Sequence, residues 1–346
     1  MRTNKKPGLQ SYALIIVLTA LFFMSLIVAS GCDLPSALYG FFRGSFGSAY
    51  SVCEVLVKAI PLTLCGLSVA CGFFSGFTNI GAEGQFYMGA LVTTAIGTYG
   101  TQIPSGLLLP LSMVLGFLAG GVWAMVPGIL KAKFGISEVI NTLMYNYIAT
   151  GIVGILLQTS LKSPDSYFPV SSYLPKGMWL PVLVKGTRLH AGLLVALVSV
   201  LVVHVVIFRS WEGYKIRAVG LNDRACVCAG FNTSRSIILS ALLSGGFAGL
   251  AGVCEVAGLQ HRLLDGISPG YGYLAVVAAL LGANNPVGIV FASLGIAVIQ
   301  VGSQGMQRSA GVPTAIANII LGGIVLLILM RPFIKELLVR KGGACR

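Results

Sequence analysis

Long apolar stretches separated by short polar or glycine-containing segments dominate the chain. A membrane-spanning helix needs about 20 predominantly apolar residues, and nine of the ten stretches approach that length. The ten are Tyr12–Gly31, Val55–Phe74, Phe86–Ile103, Leu107–Leu130, Val139–Thr159, Leu189–Phe208, Ile237–Gly258, Tyr273–Leu281, Val287–Gly302 and Ala315–Met330. The eighth is too short to span and precedes a Gly-Ala-Asn-Asn-Pro segment, so we expect one or two broken or deeply tilted helices.

The composition places this pattern in a membrane. Charged residues make up 10% of the chain and apolar residues 56%, and the mean hydropathy is +0.89. A soluble domain carries roughly 25% charged residues, so the surface must face membrane lipid. The composition argues against a soluble enzyme and predicts an all-α, polytopic membrane protein of about ten transmembrane helices. The transmembrane helices are predicted to form one domain, 12–331, between polar ends 1–11 and 332–346.

The charges set the expected topology. The net charge is +13, from 23 basic and 10 acidic residues, and basic residues cluster at both ends of the chain. Basic loops stay in the cytoplasm, so both ends are expected there and the number of crossings should be even. With ten crossings, fifteen of the 23 basic residues lie inside. Topology then accounts for the charge, and no nucleic-acid partner is implied.

Signatures of catalysis are missing from the sequence. It contains no Gly-Lys dipeptide, hence no phosphate-binding loop of the ATPase type. The three histidines His190, His204 and His261 are dispersed. Cys226 and Cys228 have no companion Cys/His pair at zinc-ligand spacing. We therefore expect no metal, no cofactor and no enzymatic activity in this chain.

Three segments combine polar residues with glycines. The first, 76–90, places Asn79, Glu83 and Gln85 beside Gly81 and Gly84 at the edge of an apolar span. An ionisable group at membrane depth is costly and indicates function. Alternatively, Glu83 stabilises the amino end of the following helix, and the two roles can coexist.

The second and third segments lie further along the chain. The second, 213–232, belongs to the cytoplasmic loop 209–236 and predicts a short helix after Asn222 that ends at Gly230. It is either a solvated basic loop or a docking element for another protein. The third, 265–282, repeats the glycine-rich pattern of the first after a span of opposite direction, which predicts an inverted repeat.

Specific motifs resemble those of one transporter family. Asn79-Ile80-Gly81-Ala82-Glu83-Gly84-Gln85 resembles a signature of ABC-importer permeases of the branched-chain amino acid, ribose and nucleoside group. Tyr214-x-x-Arg217-Ala218-Val219-Gly220-x-Asn222-x-x-Ala225 resembles the coupling loop of that group. Motifs at 58–62, 131–140, 142–149, 186–192 and 268–272 resemble its nucleoside branch, often labelled simple-sugar permeases. The resemblance runs from about residue 54 to 330, with departures at Cys226 and Leu321.

This resemblance implies an inner-membrane permease subunit that moves solute by alternating access. ABC ATP-binding subunits would hydrolyse ATP, a second homologous permease would complete the pathway, and an outer substrate-binding lipoprotein would deliver the solute. A small polar uncharged solute is implied, purine nucleosides first, with riboflavin or a simple sugar as alternatives. A rival of another class is a secondary transporter or channel, which needs buried carboxylates. Its only candidates are Glu83, Glu138 and Glu255.

The resemblance also assigns residues to roles. Coupling to the ATPase is implied for Tyr214, Arg217, Gly220, Asn222, Ala225 and Gly230, with 131–138 as a secondary contact. The translocation pathway is implied for Asn79, Gly81, Glu83, Gly84, Gln85, Asn141, Asn146, Gly270 and Gly272. The outside loop 160–188 contains four prolines, which favour an ordered, non-helical cap, and we expect it to dock the binding protein.

Overall fold

The structure is a computed structural model that describes residues 24–25, 31–313, 315–316, 318–319 and 322–323. The first and last predicted spans, Tyr12–Gly31 and Ala315–Met330, lie mostly outside the described residues. The polar ends 1–11 and 332–346 lie entirely outside them.

The described residues form eleven α-helices. These are α1 (Leu34–Phe46), α2 (Ala49–Phe74), α3 (Ala82–Tyr99), α4 (Ser105–Phe134), α5 (Glu138–Gln158), α6 (Gly192–Arg209), α7 (Trp211–Leu221), α8 (Asp223–Cys228), α9 (Thr233–Glu255), α10 (Tyr271–Leu281) and α11 (Pro286–Ala310). A 3₁₀ turn lies at Lys176–Met178, and α9 continues into a π-helical turn at Val256–Gln260. Within the described part of the chain, β-structure is limited to isolated bridges.

Each of the eight predicted spans within the described residues falls on a helix, which confirms the all-α class. Six helices are long and apolar enough to cross a membrane: α2, α4, α5, α6, α9 with its π turn, and α11. Helix α10 has 11 residues, as short as the pattern predicts. It is followed by a turn in which Ala283 and Asn284 have left-handed backbone angles.

Helices α1 and α7 were not predicted. Both mix polar and apolar residues, so neither gives a long apolar run, and local caps start them instead. The Asp33 carboxylate accepts a hydrogen bond from the Ser36 amide at 3.0 Å. The Ser210 hydroxyl accepts one from the Gly213 amide at 3.0 Å. Such caps satisfy amides that have no partner within the helix, and the loop predicted at 209–236 is therefore largely helical.

Two compact units divide the chain, and the larger is Leu56–Gly295. In it α9 packs along α4, and both contact α3. A Cβ atom added to Gly120 would lie 2.3 Å from the carbonyl oxygen of Gly245, and one added to Gly89 would lie 2.1 Å from that of Gly249. Small residues permit such close backbone approach between membrane helices. The glycine-rich run 244–252 is thus a packing surface.

The other unit comprises the described parts of Met1–Val55 and Ile296–Arg346. Here α1 packs against the C-terminal half of α11. A Cβ atom on Gly44 would lie 2.8 Å from the Gly305 Cα, and the Ser45 hydroxyl donates to the Val298 carbonyl at 3.2 Å. Ala37 and Met306 belong to its small apolar core.

Candidate functional site

The loop between α2 and α3 is held by the side chain of Asn79. Its amide nitrogen donates to the Gln85 oxygen at 2.8 Å and to the Ser244 hydroxyl at 2.7 Å. Its oxygen accepts from the Gly81 amide at 2.8 Å and from the Gln85 nitrogen at 3.0 Å. Asn79 and Gln85 are buried, and four bonds exhaust the capacity of an Asn side chain. Asn79 therefore fixes the loop to α9 and to the start of α3.

Helix α5 contacts the same loop with one polar face. Glu138, Thr142 and Asn146 are spaced i, i+4, i+8, which places them above one another on a helix. Their oxygens accept from two amides of the loop and one in the first turn of α3: Thr78 to Glu138 at 3.3 Å, Ile80 to Thr142 at 3.3 Å, and Gly84 to Asn146 at 2.8 Å. The spacing Glu-x₃-Thr-x₃-Asn is visible in the sequence, but nothing in the sequence identifies the loop as its partner.

Asn146 serves as a helix cap supplied by a different helix. The N-cap residue of α3 is Gly81, which has no side chain, so the Gly84 amide has no partner within α3. Asn146 accepts that amide and also donates to the Ile80 carbonyl at 2.9 Å. Asn141, on the same helix, differs: its buried amide nitrogen has no hydrogen-bond partner among the described residues.

Glu83 caps α10 in the same way. Its carboxylate accepts from the Gly272 amide at 2.7 Å, and the N-cap residue of α10 is Gly270, in the left-handed conformation with φ +89°. Helix N-termini carry partial positive charge, and Glu83 lies at those of both α3 and α10. A Cβ atom on Gly272 would lie 2.1 Å from the Glu83 nitrogen, so only glycine fits there. The first and third glycine-rich segments thus meet at this carboxylate.

The three candidate carboxylates lie at helix ends, as the sequence predicted, and each has partners. Glu138 pairs with Lys131 at 2.7 Å. Glu255, the last residue of α9, is buried and lies near the positive charges of Lys58 and Arg188. Among the residues that the structure describes, no three His, Cys, Asp or Glu side chains come together as metal ligands.

Helices α7 and α8 make up the segment that is predicted to couple to the ATPase, here called the coupling segment, with α8 at the surface. The Asn222 oxygen accepts from the Ala225 amide at 3.1 Å and starts α8. Asn222, Ala225 and Gly230 are exposed, and so are the apolar side chains of Leu221 and Val227. The predicted short helix after Asn222, ending before Gly230, is confirmed as α8.

Tyr214 holds the coupling segment together. Its ring stacks on that of Trp211 with centroids 5.5 Å apart, and the Phe231 ring meets both of them edge-on. These contacts join the start of α7 to the residue that follows Gly230, so the two ends of the segment are tied to each other.

Arg217 lies against α6, and Gly220 lies against α2. The Arg217 guanidinium lies 5.2 Å from the centroid of the Phe208 ring, a cation–π geometry, and Phe208 packs edge-on against Phe74. A Cβ atom on Gly220 would lie 2.1 Å from the Phe74 carbonyl oxygen and 3.0 Å from the Gly76 nitrogen. The backbone of α7 therefore touches the end of α2 and the turn after it.

A continuous chain of contacts runs from α7 to Glu83. The turn at Gly76 meets Gly220, and the Gly76 carbonyl accepts from the Lys131 ammonium group. Lys131 binds Glu138, and Glu138 begins the α5 face that holds the loop leading to Glu83. The resemblance implies 131–138 as a secondary contact of the coupling loop, but nothing in the sequence indicates the hydrogen bond from Lys131 to the glycine-rich segment.

The segment 160–188, predicted to be an outside loop, is non-helical apart from the 3₁₀ turn. Its backbone amides donate to carbonyls of the segment after α9: Ser171 to Leu263 at 3.0 Å, Leu174 to His261 at 2.8 Å, and Leu180 to Ala257 at 2.9 Å. The Trp179 ring stacks on that of His261 with centroids 3.9 Å apart. Tyr167, Phe168 and Tyr173 remain exposed on this cap.

His190 lies at the end of the cap, just before α6, and is 2% exposed. Its ring nitrogen Nδ1 accepts from the Gly192 amide at 3.1 Å. Burial, with the charge of His261 as a second cause, lowers the pKa of His190 from 6.5 to about 4. The side chain is therefore neutral at physiological pH.

The sequence is similar to those of known transporter permeases. The family model for the branched-chain amino acid transport system permease component matches residues 51–329. The chain is 36% identical to the glucose ABC transporter permease protein TsgB13 of Haloferax volcanii, over 90% of this chain and 84% of that protein. It is 34% identical to the guanosine ABC transporter permease protein NupP of Bacillus subtilis, over 88% of each chain. It is 32% identical to the nucleoside ABC transporter permease protein NupB of Lactococcus lactis, over 88% of this chain and 86% of that protein.

No solved structure matches. The chain belongs to the branched-chain amino acid transport system permease family and is a multi-pass, non-catalytic permease subunit of an ABC transporter, whose ATP is hydrolysed by a partner chain.

Proposed function

We propose that this permease imports nucleosides, purine nucleosides foremost, across the bacterial inner membrane. The observation that carries the proposal is the similarity to NupP and NupB, named for guanosine and nucleosides, along most of the chain. A simple sugar is the second candidate, favoured by the 36% identity to the glucose permease TsgB13. A nucleoside contains a ribose ring, so both candidates present hydroxyl groups to the pathway.

The ten-span topology, with both ends of the chain in the cytoplasm, is part of this proposal. It places α7 and α8 on the cytoplasmic side and the 160–188 cap on the outer side. The proposed inverted repeat is supported by Glu83, at which the N-termini of α3 and α10 converge. Transporters built on inverted repeats form their solute sites from such discontinuous helices.

Coupling runs through the segment 209–236. Helix α8, with Asn222, Ala225 and Gly230, enters a cleft of the ATP-binding subunit, which its exposed apolar side chains Leu221 and Val227 support. Tyr214 keeps the segment rigid. Arg217 and Gly220 then pass the push of ATPase closure to the ends of α2 and α6, which they contact.

The translocation pathway is formed by segments 76–88 and 266–282 together with a second permease. Gly81, Glu83, Gly84, Gly270 and Gly272 build its narrow glycine-rich wall. Asn79, Gln85 and Asn146 shape the wall, since their polar atoms bind within the chain. Asn141 is the amide with a donor left over, and we assign it to the small polar uncharged solute or to the second permease.

The outer lipoprotein docks on the cap 160–188. The exposed aromatic side chains of Tyr167, Phe168 and Tyr173 supply contact area, and aromatic residues are enriched in protein interfaces. Backbone bonds to residues 257–263 connect this surface to the segment that leads into α10. Docking at the cap is therefore transmitted toward the pathway.

Uptake of labelled guanosine by cells lacking this chain, complemented with the wild type, tests the substrate. We expect uptake that requires ATP, is inhibited by excess unlabelled purine nucleosides, and is unaffected by excess glucose or riboflavin. Inhibition by glucose alone would replace nucleosides by a sugar. Uptake that survives ATP depletion while ion gradients persist would replace the ABC mechanism by a secondary transporter.

The coupling route is tested in the same cells. Gly220→Ala forces a Cβ atom against the backbone of α2, so we expect uptake to fall by about tenfold or more at an unchanged membrane level. Gly151→Ala is the matched control, because a Cβ atom there would have no atom within 4 Å, and we expect it to retain wild-type uptake. Equal uptake by both variants would contradict the role of Gly220.

A further inference from the structure

An aromatic stripe follows the exposed side of α1 into the first turn of α2. Tyr39, Phe42 and Phe46 recur at spacings of 3 and 4 residues, which places them along one face of α1, and Tyr50 follows in the first turn of α2. The four side chains are between 47% and 62% exposed. Aromatic side chains concentrate where a membrane meets water. Helix α1 begins three residues after the predicted span Tyr12–Gly31, which fits a helix lying at headgroup level.

Beside this stripe lies a cavity of about 510 Å³ within the unit formed by α1, the start of α2 and the end of α11. Ten described residues line it, and none of them is acidic. Two are arginines, Arg43 and Arg308, and three are serines, Ser48, Ser51 and Ser309. The other five are four glycines and Tyr39, so the cavity is roomy, positively charged and rich in hydroxyl groups.

The geometry fixes one of the two arginines at the cavity. Arg43 donates to the Tyr39 hydroxyl at 3.3 Å, and its guanidinium lies 5.7 Å from the centroid of the Tyr39 ring. A guanidinium carries five N–H donors and matches phosphate oxygens in a two-pronged arrangement. The bond to Tyr39 uses one of these donors, which leaves the others for an anion.

We propose that this cavity binds the phosphate headgroup of an anionic phospholipid. Two arginines without an acidic neighbour in the lining supply the charge complementarity, and serine hydroxyls can donate to phosphate oxygens. The aromatic stripe sets the site at the depth of lipid headgroups, where a guanidinium can meet phosphate oxygens. Two exposed ion pairs together predict a preference of roughly fivefold for an anionic over a zwitterionic lipid.

The test measures lipid bound to the full-length protein, purified with its native partners and reconstituted with phosphatidylglycerol or phosphatidylcholine of identical acyl chains. We expect phosphatidylglycerol to be retained through gel filtration and to raise the thermal midpoint more than phosphatidylcholine does. Arg43→Gln with Arg308→Gln should abolish both differences, whereas Arg43→Lys with Arg308→Lys should keep most of the preference. The lysine pair is the matched control, because it keeps both positive charges at the cavity.

Three outcomes would overturn the proposal. The first is equal retention of the two lipids by the wild type. The second is an equal rise of the thermal midpoint with inorganic phosphate alone, which would assign the cavity to a free anion. The third is a change of oligomeric mass in the arginine variants without loss of bound phosphatidylglycerol, which would assign it to a protein contact.

Discussion

Asn146→Ala removes the α5 side chain that caps the amino end of α3. The change leaves two groups in a buried site without a partner, the Gly84 amide and the Ile80 carbonyl. Each such group costs about 1–3 kcal/mol when its partner is lost, so we expect a loss of roughly 2–6 kcal/mol in the free energy that holds the start of α3 and the loop before it in place. Asn141→Ala is the matched control on the same helix, because the Asn141 amide nitrogen has no partner to lose.

Hydrogen exchange of the Gly84 amide in detergent-solubilised protein measures this effect. A loss of about 2 kcal/mol predicts exchange roughly 30-fold faster in Asn146→Ala, with little change in Asn141→Ala. In the uptake assay we expect the change in Asn141→Ala. This variant should raise the apparent KM for solute at unchanged stability, since the Asn141 amide nitrogen has a donor available to bind the solute. Equal protection of Gly84 in the two variants would refute the capping role of Asn146.

Two further predictions concern the ends of the bundle. Lys131→Met and Glu138→Gln should each destabilise the protein by about 1–2 kcal/mol, because the pair is only about one-fifth exposed. The double variant should lose less than the sum of the two, since both single changes remove the same ion pair. Additive losses in denaturant unfolding would contradict a coupled pair. The pKa of His190 is lowered to about 4 from 6.5. Between these pH values the unfolded chain binds a proton at this histidine and the folded chain does not. The free energy of unfolding should therefore fall by up to about 3 kcal/mol as the pH drops from 7.5 to 4. His190→Gln should flatten that part of the thermal-midpoint profile, and an unchanged slope would count against burial of a neutral histidine.

The arrangement around Glu83 suggests why glycine is so frequent here. The N-cap residues of α3 and α10 are both glycines. The Gly84 and Gly272 amides therefore take acceptors from other helices, and Asn146 and Glu83 provide them. A cap supplied by another helix links the two elements more directly than a cap within one helix. Movement of α5 or of α10 therefore has to move the start of α3 or break these bonds.

The apolar pattern was sufficient to predict most of the helices. Burial of about 20 apolar residues in lipid is a property of the segment itself, so eight predicted spans fall on described helices, and the short α10 was recognised by its length. The Asn222 start and Gly230 end of the α8 region were also predicted, because cap and terminator residues act locally. Helices α1 and α7 were missed because they lack an apolar run, although each carries a local cap.

The sequence by itself determined the membrane class, the positions of most helices and, through its motifs, the permease family. Only the tertiary structure decided which polar groups meet. It joined Glu83 to Gly272 across 189 residues and set Asn79 against Ser244. It also distinguished Asn146, whose oxygen and nitrogen both have partners, from Asn141, whose nitrogen has none among the described residues. The physical reason is that spacing along a helix fixes which side chains share a face, whereas the partner of that face depends on how distant helices pack.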